Sequence, residues 1–333
     1  MLQVLSEENM KKHIVSIFAA TVAFAASAQA QNFPDRPPTM IIPFAAGGPT
    51  DVLGRVVGQR MGELAKQQYI IENVGGAGGM TGMARVVNAA PDGYTIGLGT
   101  VGTQAQGQTL YKKPLYNSTT DFASIALLAE VPIILTVRKD LPLKDFREFV
   151  AYAKANQSKM QFGSAGAGSA THLGCVLLNY VIGVNITHVP YRGTGPAMQD
   201  LTAGRIDYVC EIITTAKPQV DGGNVRGLAI FDKKRSPAMP DLPTAAEQGT
   251  PNLEAYTWNA LFAPKGTPAP IVKRLNQLSV DAIKTPAVRE RLAGLGAQVV
   301  SDDRTTPEYL DKLVKDGITK WAVPIKASGV TAD

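Results

Sequence analysis

Two glycine-rich segments carry the residue types best suited to chemistry in this sequence. They occupy residues 43–53 and 163–173, and each combines glycines with hydroxyl-bearing side chains. Each follows a short apolar run and precedes apolar residues at helical spacing, which predicts a tight turn at the start of a helix. Unpaired N–H groups and the positive end of the helix dipole meet at such a turn and favour a bound carboxylate or phosphate. The pair therefore predicts one anionic ligand held between two parts of the chain.

A simpler explanation of both segments is helix capping. Thr50, Asp51, Ser169 and Thr171 are residue types that cap helices often. One such segment alone would favour capping. Two segments of matching design, more than a hundred residues apart, favour a shared ligand.

Three enzymatic alternatives are weaker. Ser169 with His172 could serve an exported esterase or amidase, but neither Ser164 nor Ser169 lies in a G-x-S-x-G motif. Residues 97–102 satisfy G-x-G-x-x-G, yet the segment after them makes a poor crossover helix. Neither glycine segment ends as a Walker motif does. We therefore expect no enzyme and no cofactor, with the Ser169 and His172 hydrolase as the alternative.

The first 31 residues have the composition of a secretory signal. Lys11 and Lys12 precede an apolar run at residues 14–26, and Ala28 and Ala30 offer small residues for cleavage. The sequence therefore predicts a periplasmic protein that begins at residue 31 or 32. Its net charge of +5 is mild and scattered, which suits an anionic solute better than a nucleic acid.

Cys175 and Cys210 are the only cysteines. An even pair in an exported protein predicts a disulfide, and two buried free thiols are the alternative. No close cysteine and histidine spacing suggests a zinc site, so no metal is expected.

The order of elements predicts an α/β protein with two lobes. Strands alternate with helices in two successive series, which indicates parallel sheets covered on both faces. Further helices follow, one of them opened by Pro196 and several after residue 263. We expect residues 32–133 with 258–333 to form lobe 1 and residues 134–257 to form lobe 2. Two strands would cross between the lobes, near residues 131–135 and 256–259, and form a hinge beside a cleft.

Six motifs resemble one protein family. They are, in chain order, Pro-Phe-Ala-Ala-Gly-Gly-Pro-Thr-Asp at 43–51, Glu-Asn-Val-Gly-Gly-Ala-Gly-Gly at 72–79, Ala-Pro-Asp-Gly-Tyr-Thr at 90–95, the second glycine segment at 163–173, His-Val-Pro-Tyr-Arg-Gly at 188–193 and Leu-Pro-Thr-Ala-Ala-Glu-Gln-Gly at 242–249. The sequence is similar to the Bug-type periplasmic receptors of tripartite tricarboxylate transporters. This resemblance implies a type II periplasmic-binding-protein fold that closes on a small carboxylate.

The resemblance also implies a set of ligand-binding residues. On the first lobe these are Phe44, Ala46, Gly48, Thr50 and Asp51, and on the second Ser164, Gly166, Gly168, Ser169 and Thr171. We expect Asp51 to orient a water or receive a protonated group, since a carboxylate repels an anion. Specificity is expected from Thr103, Arg192 and Glu211, where Arg192 could hold a second carboxylate in a bidentate pair or form only a surface ion pair.

The expected function is capture of a carboxylate and its delivery to membrane permease subunits, by a monomer. The ligand we favour is a dicarboxylate, and this class includes aromatic diacids such as terephthalate, whose ring Phe44 and Tyr191 could flank. A receptor that signals to a sensor protein is the remaining alternative.

Overall fold

The computed structural model describes residues 33–332, apart from the side chains of residues 324, 327 and 328. The predicted signal segment, residues 1–31, lies outside the described residues. Among the helices of residues 33–332, none is both long and apolar enough to cross a membrane.

The described chain contains ten strands and ten α-helices. The strands are β1 (Thr39–Ile42), β2 (Ile70–Asn73), β3 (Thr95–Thr100), β4 (Phe122–Arg138), β5 (Gln161–Ser164), β6 (Thr187–Pro190), β7 (Tyr208–Ile212), β8 (Val225–Ile230), β9 (Tyr256–Pro264) and β10 (Gln298–Val299). The helices are α1 (Pro49–Ala65), α2 (Met80–Val87), α3 (Gly107–Leu110), α4 (Phe146–Asn156), α5 (Ala170–Ile182), α6 (Thr194–Thr202), α7 (Ile213–Asp221), α8 (Ala269–Lys284), α9 (Pro286–Gly294) and α10 (Pro307–Ser328). A π-helical turn, Gly102–Gln106, leads into α3.

All ten strands belong to one sheet with the order β2-β1-β3-β9-β4-β7-β5-β6, and β8 and β10 also pair with β4. The outer strands are parallel: β1 pairs so with β2 and β3, and β5 with β6 and β7. The prediction of parallel sheets is wrong for the centre, where β4 and β9 run antiparallel to their neighbours. The reason is that β9 returns from the second half of the sheet and inserts between β3 and β4.

Strand β4 joins two halves of the sheet, which we name by their strands. Its residues 122–132 pair with β9 beside the first half, β1 to β3, whereas residues 133–138 pair with β7 and β8 of the second half, β5 to β8. Strand β9 begins at the same junction, where Tyr256 lies opposite Pro132. Strands β4 and β9 therefore connect the two halves side by side, at Pro132 and Tyr256. The exact lobe boundaries, at residues 133 and 257, stay a prediction.

Local sequence explains where several helices begin. Asp145, Ser169 and Thr306 each accept a hydrogen bond from a backbone N–H in the first turn of α4, α5 and α10. Helix α6 begins at Thr194, two residues before the predicted Pro196, because proline fits inside a first turn where no N–H bond is required.

Apolar side chains fill the space between the sheet and the helices, and helices α8 and α10 pack on the first half. In the second half, fully buried Cys175 on α5 and Cys210 on β7 form a disulfide. The predicted disulfide is therefore confirmed. It fixes α5, the helix that follows the second glycine segment, to the neighbouring strand.

Candidate ligand-binding cleft

A narrow cleft between the two halves has an empty volume of about 300 Å³. Its lining brings both predicted glycine segments together, although they are far apart in sequence. The lining residues are Phe44, Pro49, Thr50, Thr100, Ala165, Ser169, Ala170, Thr171, Thr194, Ile212 and Thr257. All eleven are uncharged and six carry a hydroxyl group.

Four helices begin at this cleft. Pro49 and Thr50 open α1, Ala170 and Thr171 open α5, Thr194 opens α6, and Ile212 immediately precedes α7. The first turn of each helix leaves backbone N–H groups without helical partners and carries the positive end of the dipole. The cleft therefore favours an anion, although no cationic side chain among residues 33–332 lines it.

The first glycine segment is held by Asp51. Its Oδ2 accepts hydrogen bonds from Gly47 N at 2.9 Å and Arg55 Nε at 2.9 Å, and its Oδ1 accepts one from Asn73 Nδ2 at 2.9 Å. Burial raises the pKa of Asp51, but the three donors outweigh burial and lower it. Asn73 Nδ2 also donates to the Phe44 carbonyl at 3.0 Å. Asp51 is thus ionised, and its hydrogen bonds hold the first glycine segment in place behind the cleft.

The second segment is held by its own hydroxyl groups. Ser169 Oγ donates to the Gly166 carbonyl at 2.7 Å and accepts from His172 N at 3.2 Å, as an N-cap does. Thr171 Oγ1 accepts from Ala165 N at 3.0 Å, and Ser164 Oγ accepts from Gly166 N at 3.1 Å. These bonds fix a compact turn whose rim faces the cleft.

Two histidines pack beneath this segment. The rings of His172 and His188 stack with centroids 4.1 Å apart, and Phe162 stacks on His188 at 4.8 Å. His188 Nε2 lies 2.7 Å from Ser164 Oγ, and His172 Nδ1 accepts from Gly168 N at 3.2 Å. Burial lowers the pKa of His172 to about 3, with a contribution from His188, and lowers that of His188 to about 4. Both rings are therefore neutral supports.

The hydrolase alternative finds no geometric support. The ring of His172 bonds to a backbone N–H and not to Ser169 Oγ, so Ser169 lacks a base. Ser164 does contact His188, a pairing that the sequence did not suggest, but Ser164 is fully buried and cannot reach a substrate.

Four of the predicted ligand residues line the cleft: Phe44, Thr50, Ser169 and Thr171. Gly48, Ser164, Gly166 and Gly168 shape the two turns, and Ala46 is exposed. Direct ligand contacts of all ten residues, Asp51 included, stay predictions.

The three predicted specificity residues lie behind or beside the lining. Thr100 lines the cleft, and Thr103 lies behind it. Thr103 Oγ1 accepts a hydrogen bond from Thr100 N at 2.9 Å and so helps to hold Thr100 in place. The side chain of Arg192 is exposed, while its backbone carbonyl accepts from Ala45 N at 3.3 Å across the two halves. Glu211 is fully buried, and burial raises its pKa to about 7. Tyr191, the predicted ring neighbour, donates its hydroxyl to Asp200 at 2.7 Å.

Sequence reasoning missed Thr100, Thr194, Ile212 and Thr257. Thr100 and Ile212 end β3 and β7, and Thr257 lies near the start of antiparallel β9. These three residues lie at the same edge of the sheet, because β9 runs antiparallel to β3. Ligands of α/β sheets bind at the carboxyl ends of the parallel strands, so this position is the signal that could have found them.

The histidines, cysteines, aspartates and glutamates of residues 33–332 include no group of three or more placed to hold a metal ion.

Comparisons with known proteins show which family the chain belongs to. The family profile described as "Tripartite tricarboxylate transporter family receptor" matches residues 53–330. The chain is similar to MatC from Rhodopseudomonas palustris, solved with bound malate, at 41% identity and a TM-score of 0.85 over 88% of this chain and 100% of that one. It is similar to the periplasmic binding protein BugD at 38% identity and a TM-score of 0.88, over 90% and 100% of the two chains. It is also similar to R. palustris Rpa4515 with adipate, at 32% identity and a TM-score of 0.85, over 90% and 99%.

The matches extend over nearly the whole described chain. The proteins matched are solute-binding proteins and not enzymes. This chain therefore belongs to the tripartite tricarboxylate transporter receptor family, as a Bug-type solute receptor with the two-lobed fold of periplasmic binding proteins.

Proposed function

We propose that this receptor captures a small dicarboxylate in the cleft and delivers it to the membrane subunits of a tripartite tricarboxylate transporter. The observation that carries the proposal is the convergence of four helix starts on one uncharged, hydroxyl-rich cleft. Such a site supplies N–H and O–H donors, which match the acceptor-only oxygens of a carboxylate.

The lining of the cleft favours a short aliphatic diacid, because hydroxyl-bearing and aliphatic side chains make up most of it. The similar proteins MatC and Rpa4515 were solved with malate and adipate. An aromatic diacid such as terephthalate is the weaker candidate, because Phe44 is the one aromatic residue among those that line the cleft. Arg192 would serve a second carboxylate only after its exposed side chain turned inward.

The test is a thermal-shift screen of refolded, ligand-free protein against malate, succinate, adipate, terephthalate and their diamides. At a hundredfold excess over Kd, a ligand stabilises the native state by about 2.7 kcal/mol. We expect a diacid to raise Tm and its diamide to have no effect. Absence of any shift, or equal shifts by diacids and diamides, would contradict carboxylate capture.

Delivery, export and oligomeric state need separate measurements. Uptake of labelled ligand by cells with and without the receptor gene tests delivery to the permease. The amino-terminal sequence of the exported protein should begin at Gln31 or Asn32 if residues 1–31 form a signal peptide. Light scattering should give the mass of a monomer.

A further inference from the structure

The carboxyl group of Glu211 is buried beside the cleft and only half satisfied. The residue lies on β7 and is 0% exposed. Its Oε1 accepts hydrogen bonds from Ile212 N at 2.8 Å and Thr215 Oγ1 at 2.9 Å. Its Oε2 is buried and has no hydrogen-bond partner within the described part of the chain. Buried polar atoms without partners are rare in native proteins and call for an explanation.

Thr194 stands between this carboxyl group and the cleft. It is the first residue of α6, it lines the cleft, and its buried Oγ1 also lacks a well-formed hydrogen bond. The hydroxyl is close enough to the Glu211 carboxyl to lower its pKa, although the geometry falls short of a complete hydrogen bond. On the other side, a Cβ atom at Gly48 would lie 3.5 Å from Thr194 Oγ1. Thr194 thus lies close to Glu211 of the second half and to Gly48 of the first.

The protonation state of Glu211 decides what Thr194 offers to a ligand. An ionised carboxylate accepts the single hydroxyl hydrogen of Thr194 and leaves only lone pairs for the cleft. A protonated carboxyl group donates from Oε2 to Thr194 Oγ1, so the threonine hydrogen can point into the cleft. Only the second arrangement suits a ligand carboxylate, which accepts hydrogen bonds and cannot donate one.

We propose that Thr194 donates its hydroxyl hydrogen to the bound carboxylate, that protonated Glu211 positions Thr194 for this bond, and that the ligand anion is therefore taken up together with one proton held on Glu211. The inference rests on the proposed function, because it specifies how the same cleft holds its anion. Glu211 is a positioning residue, since it acts through Thr194.

Electrostatic surroundings support the proton. Burial is the largest influence on the Glu211 pKa, and it outweighs the hydrogen bonds from Ile212, Thr215 and Thr194 to leave a pKa of about 7. No charged group contributes to this pKa among the described residues. The charged residues of the elements packed against it pair elsewhere. Asp200 of α6 pairs with Arg205, Lys217 of α7 with Asp221, and Arg138 and Glu130 of β4 pair with Asp140 and Asp207 and with Arg304, respectively. His172 of α5 is neutral, because burial lowers its pKa to about 3. The positive N-terminal ends of α6 and α7 favour the ionised form of Glu211. They therefore oppose burial, and the carboxyl group can still lose its proton.

The experiment is isothermal titration with the diacid that shifts Tm most in the screen above, at pH 6, 7 and 8. An aliphatic diacid is almost fully a dianion at pH 7 and 8, so proton uptake there reports the protein; the small fraction of monoanion at pH 6 is measured by titrating the free ligand and is subtracted. For a pKa near 7, linkage predicts that Kd rises about tenfold from pH 6 to pH 8. Buffers of different ionisation enthalpy should report uptake of about half a proton per ligand at pH 7 and nearly one at pH 8.

Three variants separate positioning from packing. Glu211→Gln keeps an N–H donor in the place of the proton, so its Kd should be independent of pH and close to the wild-type value at pH 6. Thr194→Ser should keep the pH dependence, and Thr194→Val should bind weakly at every pH. Asp221→Asn, at the exposed end of α7, is the matched control and should retain the wild-type pH profile.

A wild-type Kd that does not change with pH, without proton uptake, would overturn the inference and leave carboxylate capture intact. A pH dependence that persists in Glu211→Gln would also overturn it. If Glu211→Gln fails to fold, the wild-type proton count decides alone. If no diacid raises Tm in the thermal-shift screen, the proposed function is refuted, and this inference with it.

Discussion

The carbonyl oxygen of Ala167 lies 2.0 Å from the position that a Cβ atom would occupy at Gly78. Gly78 belongs to the turn after β2 in the first half, and Ala167 to the second glycine segment. The Tyr111 hydroxyl donates to the same carbonyl at 2.8 Å. A similar approach occurs at Gly75, where a Cβ atom would lie 2.5 Å from the Arg192 carbonyl oxygen. The two halves therefore meet backbone to backbone, and this contact requires glycine.

We expect Gly78→Ala to impair closure. The added methyl group would displace the Ala167 carbonyl, and φ of +61° at this position disfavours a side chain as well. Because apparent affinity scales with the population of the closed form, Kd should rise on the order of tenfold or more. Titration calorimetry measures Kd, and small-angle scattering measures the open population.

Gly183→Ala is the matched control for backbone strain. Its φ is +72°, and no atom of the described residues would lie within 4 Å of an added Cβ atom. It should reduce stability by about 1–2 kcal/mol and leave Kd unchanged. Equal Kd values in Gly78→Ala and wild type would contradict the closure account.

Asp51→Asn should weaken both folding and binding. The substitution turns one acceptor into a donor, which then faces the N–H groups of Gly47 and Arg55 or that of Asn73. An unsatisfied buried group costs about 1–3 kcal/mol. Denaturant unfolding and titration calorimetry would show the losses, and Asp140→Asn on the surface is the control. Unchanged affinity would remove Asp51 from the support of the cleft.

Local motifs explain why much of the site could be predicted. Phe44, Thr50, Ser169 and Thr171 lie in segments whose glycines, hydroxyl groups and following helices stand side by side in sequence. Thr100, Thr194 and Thr257 carry no such motif, because only the sheet order brings them to the cleft. Single threonines at strand or helix ends are too common to indicate a ligand.

The fold shows the same division between local and distant information. Periodicity predicted the type of most helices and strands. It did not predict helix α7, because Pro218 lies inside this helix and proline is unfavourable there. The antiparallel centre depends on the insertion of β9 beside β3, a pairing between residues far apart in sequence. Likewise, the contact of His188 with Ser164 arises from parallel pairing of β5 and β6 and has no sequence signature.

The buried histidine pair should make the protein sensitive to acid. Both pKa values are lowered from 6.5, so the unfolded chain binds protons that the native state does not. The stability is thus present above pH 6.5 and is lost as pH falls toward about 4. Between pH 6.5 and 5 each histidine should account for about 2 kcal/mol, at 1.36 kcal/mol per pH unit. Denaturant unfolding at both pH values measures the total.

Glu211 acts in the opposite direction, because its raised pKa stabilises the native state as pH falls from about 7. The effect of His188 is therefore measured by comparing the wild type with His188→Gln. The free energy of unfolding of the variant should change less between pH 6.5 and 5. Identical pH dependence in the two proteins would show that His188 is not held neutral by burial.

Reduction of the Cys175 and Cys210 disulfide should destabilise the protein by about 4 kcal/mol. The bond closes a loop across a sequence separation of 35 residues, and chain entropy gives a value of this size. Urea unfolding with and without a reductant measures the difference, with the Cys175→Ala and Cys210→Ala double variant as the unoxidisable reference. If the reductant had no effect on unfolding, the two thiols would not be joined in the purified protein.

The central claim is that the cleft recognises a carboxylate by neutral donors. It is tested most directly by titrating refolded, ligand-free protein with a diacid and with its diamide, at one pH and in wild type and Thr171→Val. We predict that the diacid binds at least about 100-fold more tightly than the diamide, a difference of about 2.7 kcal/mol, and that Thr171→Val loses much of this preference. Equal affinity for the two ligands, or a preference that Thr171→Val leaves intact, would contradict the account.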